Sequence, residues 1–152
     1  MFANMTPVKR FARMVVVVAA TGACAPATVE PRLTPVQRPC NGSVDYPTDT
    51  TVDFRGQQQE AGPRPISATQ ARYPIELRNR GVEGSAQATW VVDTTGAVVP
   101  GTAIINAETN KAFGDAVCTW LTNGTRFEPL VVRGRRVTVR IANYPIDFTL
   151  TR

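Results

Sequence analysis

The residues of this chain that could do chemistry are few and scattered. Cys24, Cys40 and Cys118 show no CxxC spacing, so no zinc site is expected. There is no histidine, which removes the commonest general base and the commonest metal ligand. Glu76, Glu83, Asp93 and Asp147 read as helix-end, turn and terminal-strand charges, and none forms a pair at a suggestive spacing. Cys118 lies in an apolar helical stretch with no histidine to activate it. Catalysis needs a positioned base, nucleophile or metal. The chain therefore reads as a non-enzyme, with no metal and no cofactor expected.

Charge narrows the partners. The 152 residues carry 17 Lys and Arg against 12 Asp and Glu, a net +5. Three of those cations, Lys9, Arg10 and Arg13, precede Cys24 with no acid among them. Without them the balance is 14 against 12, or +2. That is a mixed solvated surface rather than a nucleic-acid footprint.

Lys9–Arg13 is a basic stretch, and Met14–Ala20 is an apolar run rich in valine. Even with Thr21-Gly22-Ala23 the run reaches only ten residues, about half of what a membrane-spanning helix needs, so residues 1–23 read as a secretory signal. Gly22-Ala23-Cys24 resembles the lipobox of bacterial lipoproteins, in which the cysteine becomes the first mature residue and carries lipid. Thr21 stands where a leucine-like residue is usual, which keeps open ordinary cleavage after Ala23. A lipid on Cys24 would leave Cys40 and Cys118 to pair in an oxidising compartment. The other reading of Cys118 is a small buried hydrophobe on a helix.

From residue 24 to 65 the chain is punctuated by Pro26, Pro31, Pro35, Pro39 and Pro47, and apolar periodicity is absent until Val52. This composition predicts an extended tether, with one short strand at the domain's edge within Val44–Phe54. The domain itself is expected over 66–152.

Within it, Ala68–Arg80 predicts a short helix with Tyr73-Pro74 in its first turn and Gly81 at its end. Ala86, Ala88, Trp90 and Val92 alternate with polar residues, a half-buried strand. Asp93–Gly96 is a turn, and Ala97–Ile105 completes a hairpin, with Pro100-Gly101 marking a bulge or edge. Asn110 or Thr109 caps a helix whose apolar stripe is Phe113, Ala116, Val117, Trp120 and Leu121. Arg133-Gly134-Arg135 is a turn. Arg136–Asn143 alternates as a third strand, which Ile146–Leu150 continues beyond Tyr144-Pro145. The order is α-β-β-α-β, an α+β sandwich of two layers with an antiparallel three-stranded sheet.

Tyr73-Pro74, Val82-Glu83-Gly84, Val91–Gly96, Arg126-Phe127-Glu128-Pro129, Gly134 and Pro145–Phe148, in this order and spacing, resemble the TonB carboxy-terminal domain family. The family fingerprint falls on Tyr73, Pro74, Gly84, Asp93, Gly96, Phe127 and Pro129. The resemblance implies a periplasmic module that binds an envelope protein, or the TonB-box peptide of an outer-membrane transporter, by strand addition. The corresponding edge would be Arg136, Val137, Thr138, Val139, Arg140 and Ile141, provided that edge is free. A charged edge that prevents aggregation is the alternative reading of the same residues. Full transducers of the family keep a membrane helix that carries a histidine, and Trp120 is here separated from Arg126-Phe127 by a Leu-Thr-Asn-Gly-Thr insert. The expectation is therefore a stand-alone adaptor, membrane-anchored through Cys24 or soluble in the periplasm. A structural scaffold of the cell envelope is the competing reading, and homodimerisation by strand exchange stays open.

Overall fold

The computed structural model describes residues 31–55, 64–66 and 70–151. The expected signal, and Cys24 with it, lies outside the described residues. Among the described residues, five strands form one sheet and two more form a small ribbon. In chain order they are β1 (Thr34–Pro39), β2 (Thr50–Asp53), α1 (Ile75–Asn79), β3 (Gly84–Val92), β4 (Ile104–Glu108), α2 (Lys111–Thr122), β5 (Val131–Val132), β6 (Arg135–Arg136) and β7 (Val139–Phe148). The sheet order is β1-β4-β3-β7-β2. The α+β class matches the expectation, and so does a central trio of strands, but β4 lies at Ile104–Glu108 rather than Ala97–Ile105. β7 starts at Val139 rather than Arg136 and runs unbroken through Tyr144-Pro145, which pair with Ala88 and Gln87.

The expected three-stranded sheet is thus corrected to five. The two additional strands come from the proline-rich stretch that reads as a tether. β1 pairs antiparallel with β4, from Thr34 opposite Glu108 to Pro39 opposite Ile104. β2 pairs parallel with β7, Thr50 opposite Val139 through Asp53 opposite Ala142. β2 falls inside Val44–Phe54, where one edge strand is expected. β1 has no apolar alternation to reveal it. Its residues are exposed almost throughout, and its prolines and the bulge between Pro35 and Arg38 suit an edge that no further strand can join.

β1 and β2 lie on opposite edges, so residues 40–49 must cross the sheet. Hydrogen bonds track the crossing. Cys40 N–H donates to the Ala103 carbonyl and Val44 N–H to the Gly101 carbonyl, both at 2.9 Å. The Arg140 guanidinium then donates to the Asp45 carboxylate and the Tyr46 carbonyl.

The core lies between the sheet and α2. Ala86, Ala88, Trp90 and Val92 face it and are fully buried, as their alternation predicts. Trp90 is the hub, with its ring centroid 5.4 Å from Phe127 and from Tyr144 and 6.2 Å from Trp120. Phe113 of α2 stacks on Phe148 at 4.6 Å, and Tyr73 meets both edge-on. Burying a side chain of this size contributes about 3 kcal/mol, so this aromatic set dominates the cohesion of the fold.

Helix α2 begins where predicted, with the Asn110 side chain accepting from Ala112 N–H at 2.9 Å. Its buried face is rotated from the expected stripe. Phe113, Val117 and Leu121 are buried, but Gly114 and Cys118 join them in place of Ala116 and Trp120. The cause is β1. Cys118 is disulfide-bonded to Cys40. Arg38 bridges Glu108 (2.9 Å) and Asp115 (3.0 Å) across α2. A Cβ on Gly114 would collide with the Glu108 carboxylate and the Arg38 guanidinium, so glycine lets the ion pair pass close to the helix.

Helix α1 is shorter than the expected Ala68–Arg80. It starts after Pro74, whose carbonyl accepts from Leu77 and Arg78 N–H. The β3–β4 connection is also more irregular than a plain hairpin. Val98 returns beside Val92, but regular pairing resumes only at Ile104 after the Pro100-Gly101 turn.

Candidate binding edge of the sheet

The fingerprint residues turn out to be structural. Tyr73 Oη donates to the Val82 carbonyl at 2.6 Å, tying the start of α1 to its end. Burial first, and then the charge of Glu83, raise its phenol pKa. A Cβ on Gly84 would collide with Thr109 Oγ1 and the Phe113 ring, so α2 packs on β3 only over glycine. The Asp93 carboxylate closes its own turn, with Oδ1 accepting from Thr95 N–H (2.8 Å), Thr95 O–H (2.6 Å) and Ala97 N–H (3.0 Å). Burial pushes the Asp93 pKa up, but the hydrogen bonds from Thr95 and Ala97 and the charge of Arg126 outweigh it, and the net shift is downward. Gly96 has φ 86°, and a Cβ there would collide with the Phe127 carbonyl oxygen. Its own carbonyl accepts from Phe127 N–H at 2.8 Å. Phe127 is thereby pinned against Trp90 and Trp120, and Pro129 packs on the same turn.

Gly96→Ala combines a left-handed φ with a backbone clash and is expected to lower unfolding free energy by at least about 2 kcal/mol, read as a shift in urea midpoint. Asp93→Ala is expected to cost about 1–2 kcal/mol at neutral pH. The folded pKa of Asp93 lies below its unfolded value. Its contribution is therefore present above the unfolded value near 4 and is lost as pH falls through the folded pKa. Urea midpoints of the wild type and Asp93→Ala should converge below about pH 4, and a constant gap down to pH 2 would contradict this account.

The carboxylates considered for catalysis stay apart. Glu83 accepts from Leu150 N–H, Glu76 sits in the first turn of α1, and Asp147 is exposed on β7. Among the described residues no group of His, Cys, Asp and Glu is arranged to hold a metal ion.

The edge that the sequence assigns to a partner peptide is where structure and expectation meet most directly. Arg136 is exposed in β6, and Val137 N–H donates to the Leu130 carbonyl. Val139 and Ile141 are buried core residues, while Arg140 pairs with Asp45 at 3.4 Å. The far side of Val139–Ala142 is not free. β2 occupies it.

β2 is fastened at both ends. Asp49 N–H donates to the Thr138 carbonyl and the Asp49 carboxylate accepts from Thr138 N–H at 2.7 Å. Phe54 N–H donates to the Ala142 carbonyl, and the Phe54 ring is buried against Tyr144 at 5.0 Å. The Asp53 carboxylate accepts from Asn143 Nδ2 and from Arg55. Those hydrogen bonds, Arg55 first, hold its pKa well below the usual carboxylate range. Sequence reasoning missed the strength of this docking. The one available signal was Val52 and Phe54, both apolar and two residues apart.

Residues 69–150 match the family model described as the Gram-negative bacterial TonB protein C-terminal. The chain belongs to the TonB C-terminal domain family. Domains of this family serve the Gram-negative periplasm as binding modules in envelope transport and protein interaction. Among solved structures, the chain is similar to the solution NMR structure of the Pseudomonas aeruginosa TonB CTD. Identity is 15%, with 70% of this chain and 98% of that chain covered at a TM-score of 0.45. No curated protein matches the chain in sequence. Within this TonB C-terminal domain, the Tyr73-Pro74, Gly84, Asp93–Gly96 and Phe127–Pro129 signature maintains the fold.

Proposed function

We propose that this chain is a periplasmic binding module that takes an extended segment of an envelope protein, such as the TonB box of an outer-membrane transporter, as a strand beside β7. The observation that supports this is β2 itself. A short extended Thr-Thr-Val-Asp segment already lies in parallel register on Val139–Ala142, so the β7 ladder accepts an added strand, and main-chain pairing of this kind is insensitive to most side chains. An incoming segment would take the place of β2. Of the expected residues it would run along Thr138, Val139, Arg140 and Ile141, because Arg136 is paired with Val131 in the ribbon and Val137 N–H is taken by the Leu130 carbonyl. A lipid on Cys24 would hold the module at a membrane, and Pro-rich residues before β1 would give it reach.

The competing reading is a scaffold of the envelope that binds folded faces. It is favoured by one observation: both edges of the sheet carry the chain's own strands. Titration of a labelled TonB-box peptide into the wild type and into Val52→Pro separates the two. Binding that tightens when β2 is weakened supports strand addition. Absence of binding by either protein sinks it and leaves the scaffold.

A further inference from the structure

β5 and β6 form a two-stranded ribbon that projects from the domain, with Val131 opposite Arg136 and Val132 opposite Arg135. Its turn is Arg133-Gly134, with φ of 50° and 77°. Both turn residues lie at positive φ, the pattern of a tight hairpin in which Asn-Gly is the favoured pair. Arginine at the first of these positions is a poor turn former. The ribbon also exposes apolar surface, with Val131 58% and Val132 42% accessible. Arg133, Arg135 and Arg136 are exposed, and among the described residues none of the three enters an ion pair. The exposed Glu128 is the only carboxylate between Arg126 and Val137.

We propose that this ribbon is an interaction surface for an anionic lipid bilayer, immersed in the headgroup layer with its arginines on lipid phosphates and its two valines in the interface. Three free guanidiniums within four residues call for an anionic partner, and guanidinium matches phosphate bidentately. The geometry selects lipid over protein. Successive strand residues point to opposite sides, so each side of the ribbon carries one valine and one arginine. A protein face would cover one side and leave the other apolar residue in water. A fluid headgroup layer surrounds both, and exposed apolar residues flanked by cations are what partition into such an interface. The ribbon leads directly into β7, so immersion would hold the β2–β7 edge close to the membrane surface.

The test uses the full chain carrying Cys24→Ser in every sample, so that no acyl chain contributes. It is sedimented with vesicles of phosphatidylglycerol in phosphatidylethanolamine, and with phosphatidylcholine alone. Binding to the anionic vesicles is expected, falling with salt. Arg133→Asn should weaken it about fivefold, the worth of one arginine near an anionic surface. Since asparagine suits this turn better, the same variant should melt no lower than the parent, which a purely structural role for Arg133 would not produce. A local readout separates the ribbon from the amino-terminal residues: the emission of a Val131→Trp variant should shift to the blue on anionic vesicles. Equal binding to phosphatidylcholine, unchanged binding by Arg133→Asn, or no emission shift would each overturn the proposal. Retention on polyglutamate without vesicle binding would overturn it in favour of an acidic protein partner.

Discussion

Reduction of the Cys40–Cys118 disulfide is expected to lower the unfolding free energy by about 4 kcal/mol. The bond spans 78 residues, and closing a loop of that length removes about 4.5 kcal/mol of chain entropy from the unfolded state. The native side gives little reason for a smaller figure. β1 is exposed almost throughout, so it brings scant apolar burial of its own. What else holds it is the β4 ladder and Arg38, clamped between Glu108 and Asp115. Glu108 is nearly buried, so this pair exceeds the usual surface value, but it stays within about 1–2 kcal/mol. Urea unfolding with and without a phosphine reductant reads the difference. Cys40→Ser with Cys118→Ser should reproduce it. A change below about 1 kcal/mol would mean that the sheet, rather than the cross-link, keeps β1 in place. Hydrogen exchange gives the local counterpart, since the β4 amides facing β1 should lose protection on reduction before the β3–β7 ladder does.

What was legible in the sequence and what was not divides along one physical line. Elements that bury a face announce themselves by period. The Ala86–Val92 alternation and the Phe113, Val117, Leu121 spacing placed β3 and α2 within a residue or two of where they lie. Elements held by main-chain pairing and covalent bonds do not. Thr34–Pro39 has no buried side to pattern, two prolines that argue against a strand, and Gln37 at positive φ. Its place in the sheet comes from the Cys40 bond and the Arg38 ion pairs, which link positions 70 or more residues apart. The same cause rotates the buried face of α2 toward Gly114 and Cys118. Helical spacing alone favours Trp120 over Cys118. Cysteine arithmetic does offer the Cys40–Cys118 pairing that the structure contains, but not the rotation of the helix face that comes with it. The binding edge shows the division within one strand. The alternation correctly buries Val139 and Ile141, while Val137 lies before β7 and outside the core, and alternation says nothing about who occupies the ladder beside it. That occupant was only half visible, as Val52 and Phe54 at the end of a stretch that otherwise reads as spacer.

Loosening β2 should have the larger consequence for binding. Val52→Pro is expected to tighten a TonB-box peptide by about thirtyfold relative to the wild type. Thr50 and Phe54 N–H both point to β7, so Val52, two residues from each, points the same way. Proline there removes a ladder bond, and the half-buried valine contact goes with it. Together these cost the docked strand about 2 kcal/mol. An intramolecular strand competes at an effective concentration near millimolar, and the apparent dissociation constant rises in inverse proportion to the open fraction. Weakening the internal strand by about 2 kcal/mol therefore returns a factor of about 30 to an external one. Thr51→Pro is the matched control. Its N–H points away from β7, and the residue is exposed, so the affinity should change severalfold at most. Phe54→Ala should act in the direction of Val52→Pro by removing the ring that anchors the far end on Tyr144. Fluorescence anisotropy of the labelled peptide reads all four proteins. Equal gains from Val52→Pro and Thr51→Pro would point to general loosening of the domain rather than vacated pairing on Val139–Ala142, and strand addition at that edge would have to be abandoned.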